Sequence, residues 1–385
     1  MNKPRVLYIF KHDPFGIGGG ATASRNFFYA FLQVYQGYDF DVLVAEELLE
    51  KIPQELKACC HFIGVRKRTR ASRLCSMFTG IMHRYQDVGK YYLQRRRYDF
   101  CIFDHNCIAG SLIDYVRKLG TKSVVIHHNY ERDYFRDNNG LLLRCLFLGH
   151  VKRNERTAYK RCDYNIFLTQ EDQSQFYSSY GMSNGMSLVR YIFETSEDIR
   201  RKPHVTNSCS TFTLVITGSL DNPQNIDGIT YFVRELYEKL PPSCHVIIAG
   251  KNPSMQMVKL LEKYANIELI ANPPQMDEVI MRADVFLCPT RLGSGIKVRI
   301  TDGLRHGLPV IAHRVSARGY DDFINEGFLF PFDSAEEFGK QIKGVLKELE
   351  TDKDFSKRLN AFYYNQNSFA SSVQALKDFI GVVPA

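Results

Sequence analysis

Residues 285–312 constrain the fold more strongly than any other stretch of the chain. Residues 285–288 form a short apolar run, which is typical of a parallel strand buried on both faces. Gly293 and Gly295 follow, and glycine permits a tight turn and a close approach of the backbone to a ligand. A helix is predicted to begin near Ile296, where its free N–H groups would form an anion site. This strand–glycine–helix order predicts a phosphate site in an α/β domain.

Two cations fall in the predicted first turn of this helix. Lys297 and Arg299 stand where the helix dipole disfavours positive charge, so their position indicates a bound phosphate. Asp302 follows on the same helix, and Gly307 and Pro309 end it before an apolar strand. An ordinary αβ crossover with solvated basic residues is the alternative interpretation.

Strands and helices alternate along the chain, which predicts parallel, doubly wound α/β sheets. Strands are predicted at 5–10, 40–45, 100–103, 123–127, 164–168, 212–217, 245–249, 267–270, 285–288, 310–312 and 327–332. Helices are predicted at 21–34, 48–57, 72–94, 107–119, 143–161, 170–180, 225–239, 255–264, 276–282, 296–305, 334–349 and 352–380.

A polar, proline-containing stretch at 201–210 is the best candidate for a linker. It predicts two domains, 1–203 and 204–385, with a final helix at about 365–380 as a candidate to pack back on the first domain. Two doubly wound domains are expected to face each other across a cleft, where a ligand would bind.

The composition is that of a globular protein, with 44% hydrophobic and 24% charged residues. No apolar run approaches the roughly 18 residues that a membrane span needs. Ten cysteines are scattered, several of them in apolar runs, which predicts reduced core thiols rather than disulfides or zinc ligands. The start of the sequence has no signal-peptide core, so we expect a cytoplasmic protein.

The net charge of +8 lies entirely in the first 200 residues. Residues 66–97 contain one acid, Asp87, among the cations Arg66, Lys67, Arg68, Arg70, Arg73, Arg84, Lys90, Arg95, Arg96 and Arg97. Such a segment favours an anionic surface and, with its interleaved apolar residues, predicts peripheral contact with the inner face of a membrane. The alternative is a solvated basic helix over an ordinary core. Nucleic acid is not expected as a partner, because no recognised binding module accompanies the charge.

Several segments resemble one known family, the retaining GT-B glycosyltransferases of family 4, also called group 1. Residues 285–312 resemble its glycine–basic–acid helix, and residues 215–232, with their Asn-Ile-Asp sequence, resemble the start of its donor domain. Residues 16–24 and 163–180 are similar to parts of its acceptor domain. The resemblance implies two Rossmann-like domains and a nucleotide diphosphate sugar as the donor substrate, with no other cofactor.

The resemblance also implies which residues bind the donor. Lys297 and Arg299 would neutralise the leaving diphosphate, and Asp302 would accept hydrogen bonds from the ribose. The full set of candidate donor-binding positions is Gly18, Gly19, Gly218, Ser219, Gly250, Asn272, Gly293, Ser294, Gly295, Ile296 and Asp302. Plain turns at Gly250 and Asn272, and a simple flexible turn at residues 18–20, are the alternative interpretations.

The chain departs from the family pattern at two places. Many members have two glutamates on the donor motif, where this chain has Ser294 and Asp302. Many also have a basic pair after the first donor-domain strand, whereas residues 219–227 contain no basic residue. Lys297 and Arg299 would then carry the diphosphate charge alone.

Two consecutive histidines, His127 and His128, end the predicted strand 123–127. The family often has a histidine here that contacts the donor sugar, and we predict that His127 serves as this catalytic residue, ahead of His128. The alternative is a neutral, hydrogen-bonded histidine at a strand end. No metal site is predicted, because the two Asp-x-Asp pairs, at 39–41 and 352–354, do not end strands, and no third zinc ligand accompanies the histidines.

The leading hypothesis is a retaining, metal-independent hexosyltransferase-like enzyme. It would move a sugar from a nucleotide diphosphate sugar to a glycan or lipid-linked acceptor in cell-surface polysaccharide biosynthesis. A non-catalytic module of the same fold, which binds glycan or stabilises a partner transferase, is the alternative. A different reaction on this fold, such as sugar-nucleotide epimerisation, is a third.

Overall fold

The computed structural model describes residues 3–16, 19–66, 79, 83–194, 211–293 and 296–381. The chain divides into two compact units, one formed by residues 1–195 with 369–385 and the other by residues 196–368. The predicted boundary at residue 203 lies outside the described residues. No helix in those ranges combines the length and the apolar character that crossing a membrane requires.

The first unit is built on a seven-stranded parallel sheet with the order β3-β2-β1-β4-β5-β6-β7. Its strands are β1 Arg5–Phe10, β2 Asp39–Ala45, β3 Cys60–Val65, β4 Phe100–Asp104, β5 Lys122–His127, β6 Tyr164–Phe167 and β7 Met186–Val189. Its helices are α1 Gly19–Val34, α2 Gln54–Cys59, α3 His83–Arg95, α4 Asn106–Lys118, α5 Glu131–Asn138, α6 Leu141–Arg161 and α7 Gln170–Tyr180, together with the last helix of the chain, Phe369–Ile380. That last helix packs on α1.

The second unit contains a six-stranded parallel sheet with the order β10-β9-β8-β11-β12-β13. Its strands are β8 Phe212–Thr217, β9 Cys244–Gly250, β10 Ile267–Ala271, β11 Val285–Cys288, β12 Val310–His313 and β13 Leu329–Phe332. Its helices are α8 Pro223–Tyr231, α9 Met255–Leu261, α10 Met276–Ile280, α11 Ile300–Arg305, α12 Asp321–Asn325, α13 Ala335–Thr351 and α14 Phe355–Asn367; the helix Phe369–Ile380 is α15. The two Rossmann-like sheets confirm the predicted fold class.

The central strands are apolar along their whole length because helices cover both faces of each sheet. In β1 every residue from Val6 to Phe10 is at most 1% exposed. Strands of this kind appear in a sequence as continuous apolar runs and are therefore easy to predict. The strands β3 and β7 were not predicted, and both lie at edges of the first sheet. In β3 the side chain of His61 is exposed, and in β7 no residue is buried.

Four predicted helices differ in the structure. The helix expected at 48–57 is a 3₁₀ turn, Glu46–Lys51, followed by a separate short helix, Gln54–Cys59. The helix expected at 225–239 ends at Tyr231 and continues as a π-helical turn, Phe232–Leu236. The helix expected at 352–380 is two helices, which Ser368 separates in an extended conformation. The helix expected from Ile296 begins at Ile300, because Ile300, Thr301 and Asp302 each bond to the carbonyl three residues earlier, in tighter turns than an α-helix.

The strand order reverses once in each sheet, between β1 and β4 and between β8 and β11. In open parallel sheets, the loops that leave the carboxyl ends of the strands on either side of such a reversal diverge and leave a crevice where ligands bind. The topology therefore gives each unit one preferred location for a site.

Candidate functional site

In the second unit, Gly218 leaves β8 at the reversal point and approaches a cation closely. Its φ is +147°, and a Cβ added there would lie 2.6 Å from Nη1 of Arg299 and 2.8 Å from Nδ2 of Asn225. A side chain at this position would displace Arg299 and Asn225, and the positive φ also favours glycine.

Arg299 is anchored to the end of β8. Its Nη1 donates to the carbonyl oxygen of Thr217 at 3.0 Å, and its Nη2 donates to Oδ1 of Asn225. Asn225 in turn donates from Nδ2 to the carbonyl of Ser219 at 2.8 Å. These neutral partners orient the guanidinium and leave its charge uncancelled.

Lys297 is the most buried cation of the site, with only 8% of the residue exposed. Its Nζ donates to Oε1 of Gln224 at 3.1 Å, a neutral amide rather than a carboxylate. Burial lowers the pKa of this ammonium, and the positive charges of Arg299 and Arg318 add to the effect. A buried cation among like charges is a site prepared for an anion.

The glycine loop packs against the same amide side chain. Gly293 has a φ of +94°, and a Cβ there would come within 2.5 Å of Gln224. Ser294 and Gly295 lie outside the described residues, and Ile296 is half-buried. The sequence predicted Lys297 and Arg299 in the first turn of the helix. In the structure both lie in the irregular turns before α11.

Gly250 and Asn272 also lie at strand ends beside Gly218. A Cβ at Gly250 would lie 1.7 Å from the carbonyl oxygen of Gly218, so close packing of two backbones requires this glycine. Asn272 has a φ of +52° and donates its N–H to the Gly250 carbonyl at 2.8 Å. The hydroxyl of Ser219 donates to Asp221. The loops that follow β8, β9 and β10 therefore form one connected surface.

Asp302 faces a cation on its own helix. Its Oδ1 lies 2.7 Å from Nη2 of Arg305, which also approaches Asp277 at 3.4 Å. About 29% of the Asp302 side chain is exposed. A ribose hydroxyl that bonds this carboxylate would share it with Arg305.

In the first unit, the reversal point holds a cluster of charged groups that sequence reasoning missed. Nε2 of His105, after β4, lies 3.1 Å from Nζ of Lys11, after β1, and 3.0 Å from Oε1 of Glu131. Burial opposes a charged imidazole, but Cys107 and Glu131 outweigh it and raise the pKa of His105 to about 9. These residues follow β1, β4 and β5, which are neighbours in the sheet. The sequence could have predicted the cluster only if this strand order had been known.

His128 belongs to the same edge of the sheet. Its Nε2 lies 2.8 Å from Oδ1 of Asp104, and its ring stacks parallel to that of His105 with centroids 5.9 Å apart. Asp104 fixes the orientation of the imidazole, as a carboxylate does in many catalytic histidine pairs.

The structure does not place His127 at a site, which corrects the prediction. Its side chain is 0% exposed, its Nε2 pairs with Oδ1 of Asn165 at 2.8 Å, and its ring stacks on Phe167 at 4.8 Å. Burial lowers its pKa to about 3. His127 is a neutral core residue, and its neighbour His128 faces the polar cluster.

The two glycines predicted in the N-terminal loop have different outcomes. Gly18 lies outside the described residues, and Gly19 is the first residue of α1. Among the residues that the structure describes, no three His, Cys, Asp or Glu side chains are grouped as a metal site would require.

Most of the second unit is similar to a known protein family. Residues 211–348 match the sequence model of the family described as glycosyl transferases group 1. An uncharacterized 44.6 kDa protein in the cps region of Klebsiella pneumoniae is 20% identical over 357 residues, which cover 87% of this chain and 89% of that protein.

Two solved structures show the same fold over almost the whole chain. Sucrose-phosphate synthase from Thermosynechococcus elongatus superposes with a TM-score of 0.67 at 13% identity and covers 98% of this chain and 99% of its own. HepE of Anabaena in complex with UDP gives 0.66 at 11% identity, with coverage of 99% and 100%.

These two similarities define the fold class, the GT-B fold of two Rossmann-like domains. The stretch that matches the glycosyl transferases group 1 model, residues 211–348, contains every described residue of the Lys297–Arg299 site.

Proposed function

We propose that this protein is a retaining glycosyltransferase of the family 4 type. It moves a sugar from a nucleotide diphosphate sugar to a glycan or lipid-linked acceptor in cell-surface polysaccharide biosynthesis. The cps-region relative supports the pathway, and the UDP complex of a protein with this fold supports the donor class.

The observation that carries the proposal is the buried Lys297 ammonium, which hydrogen-bonds a neutral amide and lies close to Arg299 and Arg318. As the glycosidic bond breaks, the diphosphate gains negative charge. Cations that are already aimed at that charge lower the barrier without further reorganisation. The site therefore supplies the electrostatic work that a divalent cation performs in metal-dependent transferases.

Retention of configuration follows if the acceptor attacks the face from which the diphosphate leaves. The departing phosphate oxygen takes the proton of the acceptor hydroxyl, so this route needs no pair of carboxylates, unlike most glycoside hydrolases. Asp302 would hold the ribose, and the loops at Gly250 and Asn272 would hold the base.

On the first unit, His128 takes the role that the sequence suggested for His127. Its bond to Asp104 leaves one ring nitrogen for a sugar hydroxyl. Lys11 and Glu131, joined through His105, would bind hydroxyl or anionic groups of a substrate beside it.

A panel of nucleotide sugars with UDP, GDP and ADP carriers tests the proposal. We expect one of them to be hydrolysed or transferred by the wild-type protein, with the α or β configuration of the donor kept in the product. If calorimetry detects no binding of UDP, GDP or ADP, the proposal fails in favour of a non-catalytic module.

A further inference from the structure

Helix α6 carries the most exposed apolar surface that the structure describes. Residues 141–150 include no buried side chain, whereas the second half of the helix buries Asn154, Glu155, Ala158 and Tyr159. In the first half, Leu141 is 76% exposed, Leu142 73% and Leu146 51%. Isolated exposed leucines are ordinary, but a cluster on one helix end marks an interaction surface.

The same face changes from apolar to basic along the helix axis. Leu142, Cys145 and Leu146 recur at three- and four-residue spacing, and Lys152 and Arg156 continue that row; all five are exposed. Glu155 is the one acid in residues 141–156, and it is buried on the opposite side. The row therefore has an apolar tip, Leu141–Leu146, and a basic belt, Lys152–Arg156.

We propose that the apolar tip of α6 inserts into an anionic membrane surface while the basic belt contacts the lipid phosphates. Leu146 and Lys152 are about 9 Å apart along the axis, and the headgroup layer of a bilayer is about 5–8 Å thick. When the leucines reach the acyl boundary, the cations lie at the height of the phosphates. The flexible stems of lysine and arginine cover the remaining difference.

The positive charge of the basic belt favours a membrane, rather than a second copy of the chain, as the partner of this surface. Two copies that packed along the whole row would set each basic belt against the partner's belt in a parallel pair or against its apolar tip in an antiparallel pair. Neither arrangement gives the cations an opposite charge. An anionic lipid surface instead satisfies both parts of the row, since apolar burial and attraction to anionic headgroups add.

The apolar tip lies close in the chain to the polar cluster of the first unit. Helix α5 begins at Glu131, in the polar cluster of the first unit, and the tip follows it after two residues. An eight-residue helix is about 12 Å long. A membrane-borne acceptor would then be presented close to that cluster, a consequence that rests on the proposed transfer reaction. The docking itself does not rest on it.

Vesicle flotation of the full chain tests the docking without any need for activity. The wild-type protein should float with vesicles of phosphatidylcholine and phosphatidylglycerol, less with phosphatidylcholine alone, and less at high salt. The Leu142→Ser/Leu146→Ser variant should partition at least about tenfold more weakly. The matched control, Leu119→Ser/Met182→Ser, removes two exposed apolar side chains elsewhere on the same unit and should float like the wild type.

The basic belt has its own pair of variants. Lys152→Gln/Arg156→Gln should weaken binding to anionic vesicles by about tenfold and reduce its salt dependence. Lys259→Gln/Lys263→Gln removes two exposed charges from the second unit and should change neither. If the two double variants lost vesicle binding to the same extent, the proposal would be overturned, because net charge alone would then explain the binding.

The absence of tryptophan from the sequence allows a direct measure of insertion. In Leu142→Trp the only indole should shift to shorter emission wavelengths with anionic vesicles and be quenched by brominated acyl chains, whereas in Leu119→Trp it should do neither. Unshifted emission at position 142 would overturn the proposal. So would a dimer in solution that the Leu142→Ser/Leu146→Ser change converts to a monomer while vesicle binding is unchanged.

Discussion

The guanidinium of Arg299 donates to the carbonyl oxygen of Thr217 at 3.0 Å, and this contact exists because residue 218 has no Cβ. The contact joins the turns before α11 to the end of β8, on opposite sides of the strand-order reversal. The geometry of the anion site therefore depends on the absence of a side chain at residue 218.

Gly218→Ala tests this dependence. The added methyl would displace Arg299, so we expect a loss of about 1–3 kcal/mol in the free energy of unfolding and a weaker affinity for the nucleotide. In the Gly218→Ala/Arg299→Ala double variant the contact with Arg299 is gone and only that with Asn225 remains. Its loss of stability should therefore be smaller than the sum of the two single losses. Strict additivity in chemical denaturation would show that the two residues do not interact.

Gln224→Glu tests whether the site is tuned for an external anion. The new carboxylate would pair with Lys297 and raise the pKa of its ammonium, so folding stability should hold or rise while nucleotide diphosphate affinity falls at least about tenfold. The matched control is Gln256→Glu, on an exposed helix. Affinity equal to that of the wild type, measured by calorimetry, would show that Lys297 does not face the diphosphate.

His127 and His128 should behave differently when changed. His127→Ala removes a fully buried ring, so we expect a loss of about 2–4 kcal/mol in unfolding free energy with kcat per folded molecule unchanged. His128→Gln should lower kcat at least about tenfold with a smaller change in stability. Thermal unfolding and turnover on the same preparations separate the two effects, and a kcat loss confined to His127→Ala would reverse the assignment.

Glu155 makes a specific prediction about pH. Burial raises the pKa of this carboxyl from 4.5 to about 8, although it accepts hydrogen bonds from Tyr180 and from the Glu131 N–H. The folded state therefore favours the protonated acid, and its contribution to stability is lost as the pH rises from about 4.5 to about 8.

The neutral variant Glu155→Gln should remove this pH dependence. We expect it to raise the unfolding free energy by more than about 1 kcal/mol at pH 8.5 and to change it little at pH 4.5. Denaturant titrations at both pH values make the measurement. An equal change at the two pH values would mean that the carboxyl is ionised throughout.

Sequence patterns predicted every strand of the two sheets except the two edge strands of the first sheet. Strands such as Arg5–Phe10 and Val285–Cys288 are covered on both faces, so their apolar runs are unambiguous. The strands Cys60–Val65 and Met186–Val189 are half-exposed edges without that signal.

The sequence could indicate those residues of the candidate site that lie within a single motif. Lys297 and Arg299 could be recognised together because they lie two positions apart in one segment of the sequence. Gln224 and Arg318 could not be linked to them, because tertiary packing brings them from other loops. The choice between His127 and His128 failed because a strand buried on both faces gives no alternation to show which side chain points into the core.

The central claim, that Lys297 holds the charge of a nucleotide diphosphate, is tested most directly by calorimetric titration of wild-type and Lys297→Met protein. For the nucleoside diphosphate among UDP, GDP and ADP that the wild type binds best, we predict at least about tenfold weaker binding to Lys297→Met. The corresponding nucleoside should bind both proteins equally. The unfolding free energy should be unchanged or higher, because a buried cation among like charges is removed. Equal diphosphate affinity of the two folded proteins would contradict the account.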